Sequence, residues 1–118
     1  MKSELKKYDV VLIDFGSKTI GSEQGGKRPA VIIQNDLGNI HSPSTIVFPI
    51  TSVIKKPHQP THTLIKRGAE KGLSVDSMVL GEAMRQVSEE RIVKYLGKIT
   101  SDEEKKEIKR VYLANFGE

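Results

Sequence analysis

Apolar and polar positions divide this chain into a series of short strands and one late helix. Tyr8–Asp14 (YDVVLID) is rich in β-branched residues and reads as a first strand ending near Gly16. The stretch from Gly16 to Lys27 has four glycines and little to bury, so it predicts a flexible connection. Arg28–Gln34 (RPAVIIQ) is a second strand whose continuous apolar run predicts burial on both faces. Pro29 brings no N–H to a ladder, which places it at the strand's start or at an edge. Asn35–Ser44 is dense in turn formers. Thr45–Ser52 (TIVFPITS) is a third strand, with Pro49 marking an edge or bulge. Lys55–Pro60 is a loop by composition, and Thr61–Lys66 alternates as a fourth strand. Ser77–Leu80 is a short fifth strand, and Glu82–Gln86 continues it or turns. Ser88–Ile92 reads as one helical turn behind an N-cap serine, and Tyr95–Ile99 as a short strand.

The last segment carries the clearest helical signal. Ser101 with Glu104 spells a capping box. Ile108, Val111, Tyr112 and Phe116 recur at helical spacing, and Gly117 stands at the C-cap. One apolar face requires something to pack on, most simply the end of a small barrel. Short strands with Gly/Pro turns and late helices define a mostly-β or α+β domain.

The 118 residues fit one domain able to bury a real core. There is no Cys, which excludes disulfides, thiolate nucleophiles and Cys-based zinc sites, and agrees with a cytoplasmic setting. The charged start Met1–Lys7 and the short apolar run Val10–Ile13 do not predict a signal peptide, and no run is long enough to span a membrane. Lys and Arg outnumber Asp and Glu by 19 to 15, a formal charge of +4 that suits a polyanionic ligand. No basic tail exists to hold one, so contacts must come from a folded groove.

The most informative segment is Gly21–Asn39 (GSEQGGKRPAVIIQNDLGN), a glycine-rich loop feeding Lys27 and Arg28 into a buried strand. Glycines let backbone approach a ligand closely, and a strand-anchored arginine offers a planar fork of donors suited to phosphate. By itself the pattern also fits an ordinary turn with a solvated arginine beside it. The spacing is not that of a Walker loop, and the strand follows the glycines rather than preceding them as in a dinucleotide fold. The three histidines lack metal-ligand spacing; His41 tempts as a general base but reads more simply as a solvated loop residue. Ser22 lacks a nucleophile-elbow context, and Asp36 and Asn39 most simply shape a turn. Phe15 and Phe48 offer base platforms or, more simply, core.

The segment resembles the signature of MazF/PemK-type toxins: GSEQGG-x-RP, an apolar strand, then Gln34-Asn35-Asp36 and Gly38-Asn39. Ser42-Pro43, Ile50-Thr51, Pro60-Thr61-His62, Asp76-Ser77, Glu82 and Arg85 follow in the family's order. The resemblance implies an SH3-like β-barrel of the MazF/PemK/CcdB type with short helices and a C-terminal α-helix. It further implies a homodimer that cuts single-stranded RNA, chiefly mRNA, at short motifs with no metal and no cofactor. It implies a cytoplasmic toxin neutralised by an acidic MazE-like antitoxin. The family's catalytic pair falls on Arg28 and Thr51. The expected RNA-binding residues are Thr19, Ser22, Gln24, Gly25, Gly26, Lys27, Ser52, Glu82 and Arg85. Glu23 and Glu82 are also candidates for pinning Arg28 or the loop, or for acid–base work. The alternative is a non-catalytic or gyrase-targeting toxin on the same barrel, as in CcdB, against which the intact GSEQGG-K-RP motif and Thr51 weigh. Ala83 stands where many relatives carry Gln, a departure that bears on the RNA motif recognised.

Overall fold

The computed structural model describes residues 5–16 and 25–117. Seven strands are β1 (Asp9–Asp14), β2 (Lys27–Ile32), β3 (Ser44–Thr51), β4 (His62–Ile65), β5 (Ser77–Leu80), β6 (Arg85–Ser88) and β7 (Ile92–Lys98). Two α-helices are α1 (Asp36–His41) and α2 (Asp102–Phe116). Short 3-10 turns cover Ala69–Lys71, Gly81–Ala83 and Glu89–Arg91.

All strand pairs are antiparallel and the order is β4-β5-β3-β2-β1-β7. The long strand β3 organises the sheet. Its first half pairs β6 (Ser44↔Ser88 through Val47↔Arg85), and its last residues pair β5 (Ile50↔Val79, Thr51↔Met78). On its other side it pairs β2 from Ile32↔Val47 to Ala30↔Pro49. The sheet curls, but β4 and β7 do not pair among the described residues, so the barrel expected from the resemblance is an open one.

Two apolar clusters fill the interior. One joins Val10, Val31, Phe48, Ile50 and Val79 to Ile108 and Val111 of α2; the other gathers Val11, Ile13, Phe15, Ala30, Ile32, Val47 and Val87. Alternating residues of β1 and β2 divide between them, so these strands are covered on both faces, as the apolar run of the second strand predicts. Phe15 and Phe48 are buried core residues and are not exposed platforms.

Several boundaries differ from the sequence reading. The turn-rich 35–44 stretch contains α1, capped by Asn35, whose side chain accepts from the Gly38 N–H. Asn39 is buried: its amide donates to the Gln34 carbonyl, and its side-chain oxygen accepts from Gln34 Nε2 and Thr45 Oγ1. The Gln-Asn-Asp…Gly-Asn motif therefore builds a local scaffold. Pro29 lies inside a central strand, opposite Leu12, and not at an edge. Pro29 and Pro49 stand where the β2–β3 ladder gives out, each withholding an N–H from further pairing.

Helix α2 starts at the expected cap, with Ser101 Oγ accepting from the Glu104 N–H. The reciprocal half of the capping box is not made. Glu104 instead accepts from the Lys66 N–H and pairs with buried Lys71 at 3.0 Å. Only Ile108 and Val111 of the helix are buried; Tyr112 is half exposed and Phe116 is 84% exposed. No helix among the described residues is long and apolar enough to cross a membrane.

Candidate functional site

Beyond Ala30↔Pro49, β2 and β3 no longer pair, and their ends line a cleft of about 600 Å³. One wall is Gly25–Pro29 and Ile50–Ser52. The other is formed by residues 72–75 with Ser77 and Leu96. The cleft thus brings together Gly25, Gly26, Lys27, Arg28, Thr51 and Ser52. Continuing the β2–β3 register by two residues would set Arg28 opposite Thr51, where cross-strand side chains are about 5 Å apart.

Each member of this group is held by local structure. Gly26 has φ +74, a conformation glycine adopts at little cost. Its backbone exchanges two hydrogen bonds with the end of β1 (Phe15 N–H to Gly26 O, Gly26 N–H to Gly16 O), closing the base of the intervening loop. Arg28 lies opposite Ile13 on β1, and its Nε donates to Gly25 O at 2.8 Å. That bond fixes the guanidinium plane. No described carboxylate pairs with Arg28, and its two Nη groups have no bond among the described residues. Thr51 ends β3 and is 8% exposed; its Oγ1 accepts from the Val53 N–H at 3.1 Å, leaving the hydroxyl proton available to donate. A fixed fork, an exposed lysine and two hydroxyls form a donor-rich surface suited to a phosphodiester.

The remaining described candidates, Glu82 and Arg85, do not line the cleft. Thr19, Ser22, Glu23 and Gln24 lie outside the described residues. Arg85 is on β6, its guanidinium carbon 5.2 Å from the centre of the buried Phe15 ring, beside the base of the loop rather than in the cleft. Glu82 neither pins Arg28 nor lines the cleft; it accepts from Thr61 Oγ1 at 3.2 Å and meets His62 Nε2 at 2.9 Å. His41 is exposed in the last turn of α1, as expected of a solvated residue.

His62 was not assigned a role from sequence. It is 5% exposed, and both ring nitrogens meet acceptor oxygens at 2.9 Å: Nδ1 the Lys56 carbonyl, Nε2 Glu82. Only the imidazolium donates to both. Burial pushes His62 toward its neutral form, but bonds to Glu82 and to Lys56 outweigh it and raise the pKa above the ordinary 6.5. For Glu82, burial likewise favours the neutral acid, and the bond from His62 outweighs it to lower the pKa below 4.5. Arg110 of α2 adds donors to the carbonyls of Pro60 and His62, so the segment after Thr51 is tied at its far end to helix and sheet. The motif Pro60-Thr61-His62 was the available signal; its partner twenty residues on was not.

The cleft residues 72–75 and Leu96 escaped the sequence reading, and Ser77 was named there only as part of the Asp76-Ser77 match and of a strand. Leu96 reaches the cleft because β7 carries a bulge: Val10↔Gly97 is followed by Val11↔Tyr95. Two slightly larger cavities, of about 670 and 700 Å³, lie along β7 and between α1 and α2. Neither contains Arg28 or Thr51, so the smaller cleft is the candidate site.

A curled antiparallel sheet with one C-terminal helix, and a cleft lined by an arginine and a threonine from adjacent strands, define the class of small β domain to which the chain belongs. The chain belongs to the family of PemK-like, MazF-like toxins of type II toxin–antitoxin systems, whose sequence profile matches residues 6–113. It is 42% identical over 113 residues to the endoribonuclease MazF of Staphylococcus saprophyticus, covering 96% of this chain and 92% of that one. It is 43% identical over 88 residues to the endoribonuclease EndoA of Bacillus subtilis, covering 75% and 74%. In fold it resembles a mycobacterial endoribonuclease solved in complex with its cognate antitoxin (TM-score 0.77, 17% identity, 96% and 95% covered). It also resembles the Deinococcus radiodurans MazF structure (TM-score 0.75, 20% identity, 95% and 96% covered).

Proposed function

We propose that this protein is a cytoplasmic, metal-independent endoribonuclease that cuts single-stranded RNA at short sequence motifs, the toxin of a type II toxin–antitoxin system. Family membership and two endoribonuclease relatives above 40% identity support the activity. The observation that carries the mechanism is the single cleft shared by Arg28 and Thr51.

RNA supplies its own nucleophile. The ribose 2′-OH attacks the adjacent phosphorus, the P–O2′ bond forms and the P–O5′ bond breaks. The 2′-OH proton leaves to a base, and the departing 5′ oxygen takes up a proton. Products are a 2′,3′-cyclic phosphate and a 5′-OH; DNA, lacking the nucleophile, survives. Negative charge builds on the non-bridging oxygens, and a preorganised cation there lowers the barrier. Arg28, braced on Gly25, supplies it. Thr51 donates its hydroxyl proton to a phosphoryl oxygen or orients the 2′-OH. A guanidinium is a permanent cation, which makes charge stabilisation its natural role and general-base work a poor one. Gly25, Gly26, Lys27 and Ser52 complete the phosphate-binding surface. Thr19, Ser22, Gln24, Glu82 and Arg85 extend contacts to neighbouring nucleotides.

Partners follow from the same reading: a second copy of the chain in a homodimer, and an acidic MazE-like antitoxin that covers the basic groove. The mycobacterial structural neighbour was solved in complex with its cognate antitoxin. Incubation with single-stranded RNA in EDTA tests the proposal, with fragment ends analysed for cyclic phosphate. Intact RNA with wild-type protein would refute it, and poisoning of gyrase instead would move the chain to the alternative class.

A further inference from the structure

The cleft has two chemically different walls. The lining from β2 and β3 carries Lys27 and Arg28; the lining from residues 72–75 with Ser77 and Leu96 carries no charge. Among the described residues no aromatic side chain lines the cleft, so none of them offers a nucleobase a ring to stack on. Val75 is half exposed there, an apolar face at the rim of a polar cleft. Ser74 beside it is exposed, and its hydroxyl has no bond among the described residues.

This wall is irregular in backbone yet anchored at both ends. Gly68 and Leu73 exchange two backbone hydrogen bonds, and the Leu73 side chain enters the core. Gly72 adopts φ +69 against the bulged Leu96, whose carbonyl oxygen leaves no room for a Cβ. Downstream, Asp76 accepts from the Arg67 N–H, Ser77 Oγ donates to the Val75 carbonyl, and Met78 pairs with Thr51. Ser74 and Val75 are thus presented from a fixed platform registered to Thr51 through β5. A rigidly mounted apolar patch offers a base a packing surface, and a hydroxyl beside it offers its edge a hydrogen bond.

We infer that Ser74 and Val75 are specificity residues: the base flanking the scissile phosphate packs on Val75 and its edge is read by Ser74, while Arg28 and Thr51 hold the phosphate across the cleft. The inference rests on the endoribonuclease reading above. Neither side chain belongs to the core, so Val75→Ala and Ser74→Ala leave the fold intact, checked by an unchanged thermal midpoint. Wild type and both variants digest a random-sequence single-stranded RNA pool in EDTA, and fragment 5′ ends are sequenced. The variants are expected to relax the preference at one base flanking the cut by about tenfold, the scale on which a small apolar contact discriminates substrates. Cleavage should persist at relaxed sites. An unchanged base preference in both variants, with or without a uniform loss of rate, would overturn the assignment while leaving the nuclease reading intact. Wild type that cuts nothing in the pool would overturn both.

Discussion

Lys71 gives the sharpest test of how the fold holds the site wall. Its ammonium is buried, donates to the Lys66 carbonyl at 2.6 Å and pairs with Glu104 of α2 at 3.0 Å; the two side chains are 6% and 14% exposed. Lys71 ends the 3-10 turn that leads directly into Gly72, so the pair clamps helix α2 to the cleft wall. Lys71→Met keeps the bulk and strands the Glu104 carboxylate without a counter-charge. Breaking one partner of a buried pair costs about 3–5 kcal/mol, and Glu104's residual exposure argues for the lower end, about 3 kcal/mol. Unfolding entropy of about 2.1 cal/mol/K per residue over this chain gives roughly 0.25 kcal/mol/K, so the midpoint should fall by about 12 °C. Lys71→Met with Glu104→Leu removes both charges and is expected to recover part of the loss. Recovery stays incomplete because the Lys66 N–H and carbonyl both lose a partner, at about 1 kcal/mol each. Thermal and urea unfolding of wild type, Lys71→Met, Glu104→Leu and the double variant completes the cycle. A single mutant within about 3 °C of wild type would refute the clamp.

Two other perturbations follow from the same packing. Gly72→Ala places a methyl against the Leu96 backbone in a left-handed conformation and should cost about 2–4 kcal/mol, read as a lower urea midpoint; an unchanged midpoint would contradict it. The raised pKa of His62 makes its contribution complete below pH 6.5 and lost as pH climbs through the folded value, whereas the lowered pKa of Glu82 makes its contribution complete above pH 4.5 and lost on acidification. Stability from the pair is therefore greatest between about pH 4.5 and 6.5. Wild type should lose more stability between pH 6 and pH 9 than His62→Gln does, and equal slopes would show that the imidazolium contributes nothing.

What the chain discloses in advance follows the range of the interactions involved. Strands β1 to β5 and helix α2 are written locally, in β-branched runs, turn residues and a capping serine. Arg28 and Thr51 are legible because one loop motif and one strand-ending threonine stand out in linear sequence. Helix α1 is hidden because Asp, Gly, Asn and Ser are turn formers whose helicity here depends on the Asn35 cap and the buried Asn39 bonds. Strand β7 begins earlier than expected because two bulges break its alternation. The Ser74–Val75 wall and the His62–Glu82 pair leave no local trace: the first becomes part of the cleft through β5 pairing with β3, the second spans twenty residues. Glu104, spelled as half of a capping box, is captured by buried Lys71, since compensating that charge outweighs a solvent-exposed cap.

The most direct measurement is the rate of single-stranded RNA cleavage in EDTA by wild type, Arg28→Ala and Thr51→Ala, with equal folding verified beforehand. Loss of a preorganised charge donor from a phosphoryl transition state should slow Arg28→Ala by about a hundredfold to a thousandfold, with a smaller loss for Thr51→Ala. Arg28→Ala cutting as fast as wild type would contradict the assignment of the cleft as the place where the phosphodiester is held and broken.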